Sequence, residues 1–186
     1  MYKLCKSEQS AARQRQLELG LLQAMLSQRY EDISISDLCQ QLKIPRKSFY
    51  RYFSSKDGAL FALLDHTLLE FDMTPAIVNS QKGSTIGDLQ RYFVFWHHQK
   101  PLLDALMRSS LSGLLVERST SMAVRERMMP EYMKEMAPGR QSIALSFAVC
   151  GLISMVLQWH HRGYPESPAE MAQIATSLLT KPLIRQ

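Results

Sequence analysis

Apolar residues in the first third of the chain recur at the spacing of helix faces. The first stripe has members four residues apart and predicts an amphipathic helix. These members are Leu17, Leu21 and Met25. Ser34 followed by Asp37 has the spacing of a capping box, with Asp in place of the usual Glu or Gln, and predicts a second, shorter helix. That helix breaks at Lys43, and Pro45 suits the start of a third because its fixed φ is already helical.

The third predicted helix is short and rich in aromatic and basic residues. Phe49 and Phe53 are one turn apart, so they can anchor one face of it. The other positions supply cations and hydroxyls: Arg46, Lys47, Ser48, Tyr50, Arg51 and Tyr52. A restart at Ser54 to Asp57, with Ser54 as the predicted cap, opens a longer helix. Two short helices joined by a tight turn can present the second one to the major groove of DNA.

The rest of the sequence also has helical periodicity, without long alternating runs, so the fold is predicted to be all-α. Further helical segments are predicted over 88–99, 101–118, 120–129 and 141–162, and a last one begins at Ser167. We therefore expect an N-terminal three-helix DNA-binding domain with a helix-turn-helix over residues 1–56. A helical ligand-binding and dimerisation domain would follow over residues 57–186.

The charge distribution separates these two regions. Residues 1–56 hold ten Lys and Arg against five Asp and Glu, whereas the remainder holds twelve of each. The whole net charge of +5 therefore lies in the first third. A basic head on a neutral body indicates binding to a polyanion, although a solvated basic face without a partner has the same composition.

Cysteine usage and hydropathy point to the cytoplasm. Three cysteines lie far apart, whereas disulfide frameworks and zinc sites need paired spacings. They are Cys5, Cys39 and Cys150. Reduced thiols are typical of the cytosol, so we expect a cytoplasmic protein without a metal or cofactor. Met1–Ser10 has no apolar run of the kind found in signal peptides, and polar residues interrupt the apolar stretch Ile143–Trp159, which we interpret as a buried helix rather than a membrane span.

The stretch Ile33–Leu64 resembles the DNA-binding domain of TetR-type regulators. The resemblance rests on Phe49-Tyr50-Arg51-Tyr52-Phe53 followed by Ser55-Lys56-Asp57. The stretch Gly151–Leu179 is also similar to the end of the ligand and dimer domain in one subgroup. This resemblance implies a homodimer that binds double-stranded operator DNA, and we expect a repressor, although the residues themselves do not separate a repressor from an activator. It also implies a small-molecule inducer that changes the separation of the two DNA-reading heads.

The resemblance further implies roles for individual residues. Ser34 and Ser36 would contact phosphates, Tyr50 and Lys56 would bond the DNA backbone, and three residues would face the bases. Those three are Arg46, Lys47 and Ser48. The hydroxyl of Tyr52 is a further candidate for a phosphate contact. Two positions depart from the family pattern: Lys43 replaces a turn glycine, and Pro45 replaces a capping serine.

The second region offers candidates for dimerisation and for a ligand. Segments 141–162 and 168–181 are suited to pair with a second copy, with small residues that permit close approach or that pack within one chain. The small residues are Ala144, Ala148 and Gly151. Aromatic, imidazole and methionine side chains could line a ligand pocket or serve as plain core. The candidates are Trp96, His97, Met122 and Trp159.

Two other functional classes stay open. An enzyme is disfavoured because the sequence has no Gly-rich phosphate loop, no Gly-x-Ser-x-Gly motif and no zinc-helix motif. Turnover of a substrate without DNA binding would favour that class. A DNA-bound scaffold could recruit a protein partner without an inducer, and a ligand screen by thermal shift would separate it from a ligand-gated regulator.

Overall fold

The computed structural model describes Tyr2, Cys5 and residues 7–73, 85–125 and 135–180, and these residues are helical with short connections. Helices α1 to α4 span Glu8–Met25, Ile35–Gln41, Arg46–Tyr50 and Lys56–Met73, with a 3₁₀ turn at Tyr30–Asp32. Helices α5 to α7 span Thr85–His98, Lys100–Arg108 and Ser112–Arg125. Helices α8 and α9 span Pro138–His161 and Pro168–Thr180. The all-α prediction is confirmed.

The chain divides into two compact units. The first contains residues 1–69 together with 101–112, and the second contains 70–100 together with 113–186. Helix α6 therefore packs as part of the N-terminal unit although it lies far along the sequence. This division describes packing, and the functional boundary after residue 56 stays a prediction.

The first unit has an apolar core to which the predicted helix stripes all contribute. Its fully buried members include Leu17, Leu21, Met25, Leu38, Phe49, Phe53, Leu60, Leu63 and Leu64. Helix α2 begins at the predicted cap, since the Ser34 hydroxyl accepts a hydrogen bond from the Asp37 amide at 3.1 Å. Pro45 precedes α3 without a side-chain cap, as the replacement of the family serine implied.

Two details of the predicted helix boundaries are wrong. Ser55 rather than Ser54 caps α4, because its hydroxyl accepts from the Gly58 amide at 3.1 Å. The predicted helix 101–118 is interrupted at Ser110, which has a φ of +56°. There the amide of Leu111 bonds the Leu106 carbonyl at 2.8 Å and ends α6 in a Schellman motif. The predicted segment 120–129 continues α7, and its last residues lie outside the described part of the chain.

The turn between α2 and α3 closes in the same way. Lys43 has a φ of +53°, and the amide of Ile44 bonds the Cys39 carbonyl at 2.9 Å. The family glycine is therefore replaced at a residue that does adopt the left-handed conformation, which is disfavoured for side chains with a Cβ atom.

In the second unit, aromatic side chains of α5 pack against α8. Phe93 and Trp159 meet edge to face with ring centroids 5.8 Å apart. Ala123 of α7 packs with Leu145 of α8, and the partly buried Ala144 and Ala148 lie against this pair. The two alanines are thus partly covered within the single chain, and their role in a dimer stays a prediction.

Helix α8 is the single helix, within the described ranges, that is long and apolar enough to cross a membrane by length and composition. Only 22% of its apolar window is buried within the chain. Core helices of soluble proteins pass the same test. The stretch Ile143–Trp159 is thus a helix as predicted, but within the single chain it is only partly buried, because much of its apolar surface faces outward.

Candidate nucleic-acid interface

Two buried phenylalanines hold α3 against the first unit. Phe49 and Phe53 are buried, and their ring centroids lie 5.2 Å apart. Their burial turns the opposite side of the helix to solvent. The residues of that side, here called the α3 face, are Arg46, Lys47, Ser48 and Tyr50. The two cations are exposed, Tyr50 is 43% exposed and Ser48 is half-buried. This arrangement matches an anchored helix with a cationic, hydroxyl-bearing outer side.

The two serines at the start of α2 differ in their engagement. The Ser34 hydroxyl accepts from the Asp37 amide and lies 2.6 Å from the Asp37 carboxylate, so it is bound within its own capping box. Ser36 is exposed in the first turn of α2. Ser34 would have to give up a capping hydrogen bond to contact a phosphate, whereas Ser36 could do so without losing one.

Tyr52 lies mostly within the core of the first unit. Its side chain is only 7% exposed, and its ring packs on Phe53 at a centroid distance of 6.3 Å. Tyr52 also lines a polar groove between α1 and the end of α3. A phosphate contact through its hydroxyl stays a prediction, and it would have to be made through that groove.

The Lys56 ammonium is bound by backbone carbonyls. It donates to the carbonyls of Tyr30 and Ile33, both at 2.6 Å, and to that of Glu31 at 3.3 Å. It also lies 4.3 Å from the centre of the Tyr30 ring, which adds a cation–π contact. Three N–H groups thus face three acceptors inside the protein. The predicted phosphate contact of Lys56 would have to replace at least one of these bonds.

Tyr30 connects this lysine to two other helices of the first unit. Its amide donates to the Ser109 hydroxyl at 2.8 Å, at the end of α6. Its own hydroxyl donates to the Asp57 carboxylate at 2.6 Å, at the start of α4. Burial and this hydrogen bond raise the pKa of the Tyr30 phenol. Tyr30 therefore fixes the 3₁₀ turn relative to both α4 and α6.

A buried polar network links α1 to α4. Glu18 is 0% exposed and lies 2.9 Å from the His66 Nδ1 and 3.1 Å from an Arg15 nitrogen. Tyr2 donates to the buried Asp65 carboxylate at 2.7 Å, and its backbone forms an isolated bridge with Phe53. Tyr2 therefore contacts both Phe53, three residues after the end of α3, and α4.

Sequence reasoning missed both of these networks. Their members are separated by up to 79 residues, and a lone Glu or Tyr on a helix carries no local signal of burial. The apolar stripe around Glu18 predicted the helix but assigned no partner to the carboxylate. Burial of charge can be inferred only once the positions of α1 and α4 are known.

The family comparison decides the class of the protein. A family model of TetR regulators, described as "Transcriptional regulator C-terminal region", matches residues 88–181, just over half of the chain. The chain belongs to the TetR family of transcriptional regulators. A search of curated proteins by sequence found no significant match.

Solved structures of TetR-family regulators and related proteins share the fold. The dihydroxyacetone kinase operon activator DhaS is 16% identical, with a TM-score of 0.60 over 91% of this chain and 94% of that one. The repressor AlkX from Dietzia sp. is 18% identical, with a TM-score of 0.56 over 89% and 92%. A TetR-family regulator from Streptomyces coelicolor is 20% identical, with a TM-score of 0.52 over 89% and 78%. One is named an activator and another a repressor, so the shared fold does not set the direction of regulation.

In this TetR-family chain, the four candidate ligand residues lie in the second unit, and two of them meet. His97 contacts the Trp159 ring at a centroid distance of 5.6 Å, and Tyr164 lies 4.8 Å from His97. Trp96 packs instead on Phe95 at 5.4 Å. Met122 is buried on α7. Edge-to-face aromatic packing is the structural role visible for the tryptophans, and their ligand role stays a prediction.

Proposed function

We propose that this protein is a cytoplasmic, sequence-specific operator-binding repressor that acts as a homodimer and is released from DNA by a small molecule. The observation that supports DNA binding best is the α3 face. Arg46 and Lys47 point outward from a helix whose inner side is fixed by buried Phe49 and Phe53. A helix held in this way fits the major groove, and its cations can reach guanine edges or phosphates.

Individual roles follow from exposure. Arg46, Lys47 and Ser48 would read bases, because they open the helix that enters the groove. Tyr50 and Ser36 would bond phosphates, since both carry exposed hydroxyls on the same unit. Phosphate contacts fix the register of the helix on the duplex, and base contacts supply the sequence preference.

The homodimer is supported by an uncovered apolar face on α8 and α9. Ile143 is 71% exposed and Phe147 is 65% exposed, one turn apart on α8. Ile174 and Leu178 are exposed one turn apart on α9. Phe147 and Leu178 line the same shallow groove between the two helices. We call these four residues the α8–α9 face. An apolar surface of this kind marks an interaction site, and a self-complementary pairing of helices would cover it.

Control by a small molecule is supported by the aromatic composition of the second unit. His97, Trp159 and Tyr164 form a cluster that meets solvent at His97. Trp159 also lines an open groove of about 350 Å³ together with Gln158 and Met171. Aromatic and methionine side chains suit an apolar or planar ligand.

Selection of bound duplexes from a random pool tests the proposal. A dimeric operator-binding protein is expected to enrich a palindrome whose half-sites lie about one helical turn or a multiple of it apart. The Arg46→Ala variant should enrich a motif with relaxed preference at one position in each half-site. The exposed Arg140→Ala on α8 serves as the control and should leave the motif unchanged. Failure of the wild-type protein to enrich any sequence would overturn the proposed function.

A further inference from the structure

A polar groove lies beside the α3 face and is not part of it. It has a volume of about 430 Å³ and runs between α1 and the residues that follow α3. Its lining residues are Gln9, Ser10, Ala12, Arg13, Gln16, Arg51 and Tyr52. Two of the seven are arginines and none is acidic. The groove therefore offers hydrogen-bond donors and positive charge without a carboxylate to neutralise them.

The arginines approach the groove from two different elements. Arg13 is exposed on α1, and its guanidinium donates to the Gln16 side chain at 2.9 Å within the groove lining. Arg51 is exposed directly after Tyr50, the last residue of α3. A guanidinium carries five N–H donors, so the bond to Gln16 orients Arg13 and leaves donors for a ligand. Two guanidinium groups beside amides suit an anion with several oxygens, and phosphate is the group they bind in bidentate fashion.

The position of the groove favours the phosphates of a duplex over a free anion. The major groove of B-DNA is about 12 Å wide, so a helix within it has a sugar–phosphate backbone about 6 Å from its axis on either side. Arg51 follows the inserted helix directly, and α1 forms the opposite wall of the polar groove. A DNA strand that borders the major groove can therefore pass along Arg51 and Arg13.

We infer that the groove between α1 and the end of α3 is a second DNA-backbone site, in which Arg13 and Arg51 bind operator phosphates. The inference rests on the proposed operator binding and extends its footprint from the α3 face to α1. It assigns α1 a direct contact with DNA in addition to its place in the core of the unit.

The salt dependence of operator binding tests the assignment. Affinity for the selected duplex is measured by fluorescence anisotropy between 50 and 200 mM salt for wild type, Arg13→Gln and Arg51→Gln. Each lost phosphate contact should lower the slope of log affinity against log salt by about 0.9. Because a homodimer loses one contact per subunit, each variant should lower the slope by about 1.8, and its loss of affinity over this salt range should be about 12-fold smaller than that of wild type. Arg13→Lys and Arg51→Lys keep the charge and should keep the slope.

Arg140→Gln makes the same charge change on an exposed residue of α8 and should leave the slope at its wild-type value. Thermal unfolding of each variant checks the fold, which both glutamine variants should retain because glutamine and arginine have similar helix propensities. Wild-type slopes in both Arg13→Gln and Arg51→Gln would overturn the inference while leaving operator binding intact. A wild-type protein that enriches no duplex would instead overturn the proposed function itself.

Calorimetric titration of the DNA-free protein with inorganic phosphate separates the two sources of a phosphate group. We expect no saturable binding below millimolar concentrations, because a free ion lacks the neighbouring contacts that hold a duplex in register. Saturable binding that Arg13→Gln removes, together with an unchanged salt slope, would assign the groove to a free anion. That result would also overturn the inference.

Discussion

The two units of this regulator differ in the kind of side chain that they place in an unfavourable environment. The first unit buries polar groups, among them Glu18 and Asp65, and bonds them to residues distant in the sequence, His66 and Tyr2. The second unit exposes apolar groups, of which Ile143 and Phe147 are the most prominent. The two carboxylates are bonded within one chain, whereas the exposed apolar groups can be covered only by a partner.

The two arrangements are unfavourable for opposite reasons: a buried charge loses its contact with water, and an exposed apolar side chain keeps it. A buried carboxylate is tolerated only when it is bonded, so the network around Glu18 holds α1 and α4 in one relative position. An exposed apolar face is unfavourable until it is covered, so it supplies a driving force for association. The first unit thus fixes the relative position of its helices, and the second unit carries the surface that would drive association.

The largest effect is expected from a charge placed in the α8–α9 face. Phe147→Asp should prevent dimerisation because it removes, once from each subunit, a phenyl ring that the symmetric pair would bury. Burial of one such ring contributes about 1.5–3 kcal/mol, so the dimer dissociation constant should rise at least about 100-fold. Sedimentation equilibrium measures the change directly.

Ile86→Asp is the matched control, since Ile86 is an exposed apolar residue of the same unit on α5. It should remain as dimeric as wild type. Equal loss of dimer in both variants would mean that general destabilisation, rather than the α8–α9 face, was responsible. A dimeric Phe147→Asp protein would show that the second copy binds elsewhere.

The next largest effect is expected at Glu18. Glu18→Gln removes the charge that pairs with His66 and Arg15 while it preserves the shape of the side chain. We expect the free energy of unfolding to fall by about 2 kcal/mol, since the buried network loses the negative charge and one of its two acceptor oxygens. Urea denaturation followed by circular dichroism gives the value.

Glu31→Gln breaks the exposed pair with Arg29, whose atoms lie 2.6 Å apart. It should cost less than about 1 kcal/mol because solvent screens both charges. If Glu18→Gln and Glu31→Gln lowered the free energy of unfolding equally, the buried network would contribute no more to stability than the exposed pair.

Sequence reasoning succeeded where the signal was local. The cap at Ser34, the turn at Lys43 and the anchoring of α3 by Phe49 and Phe53 depend on residues within a few positions of each other. The break at Ser110 was missed because serine carries no strong preference for the left-handed conformation that it adopts. The place of α6 in the first unit depends on long-range packing, which no local pattern reports.

Lys56 provides a sharper test, because the family resemblance and the structure give it different roles. The structure engages its ammonium with the carbonyls of Tyr30, Glu31 and Ile33. Lys56→Met keeps the length of the side chain and removes the donors. We expect a loss of about 1.5 kcal/mol in the free energy of unfolding. The salt slope of operator binding should match that of wild type.

Tyr50→Phe serves as the comparison for Lys56→Met, since it removes one exposed hydroxyl from the α3 face. It should weaken binding to all duplexes alike with little change in stability. A Lys56→Met protein of wild-type stability, with its salt slope reduced by about 1.8 for the two subunits of a dimer, would show that the ammonium leaves its carbonyls for a phosphate.

The smallest effect is expected at the turn that joins α2 to α3. Lys43 adopts a φ of +53°, which costs a residue with a Cβ atom about 1–2 kcal/mol, and glycine adopts it freely. Part of this gain is offset by the greater entropy that glycine loses on folding, so Lys43→Gly should raise the free energy of unfolding by about 0.5–1 kcal/mol. Lys43→Ala removes the same charge and keeps the strain, so its stability should equal that of wild type. Because the pair differs only at Cβ, a glycine variant no more stable than the alanine variant would show that the turn stores no backbone strain.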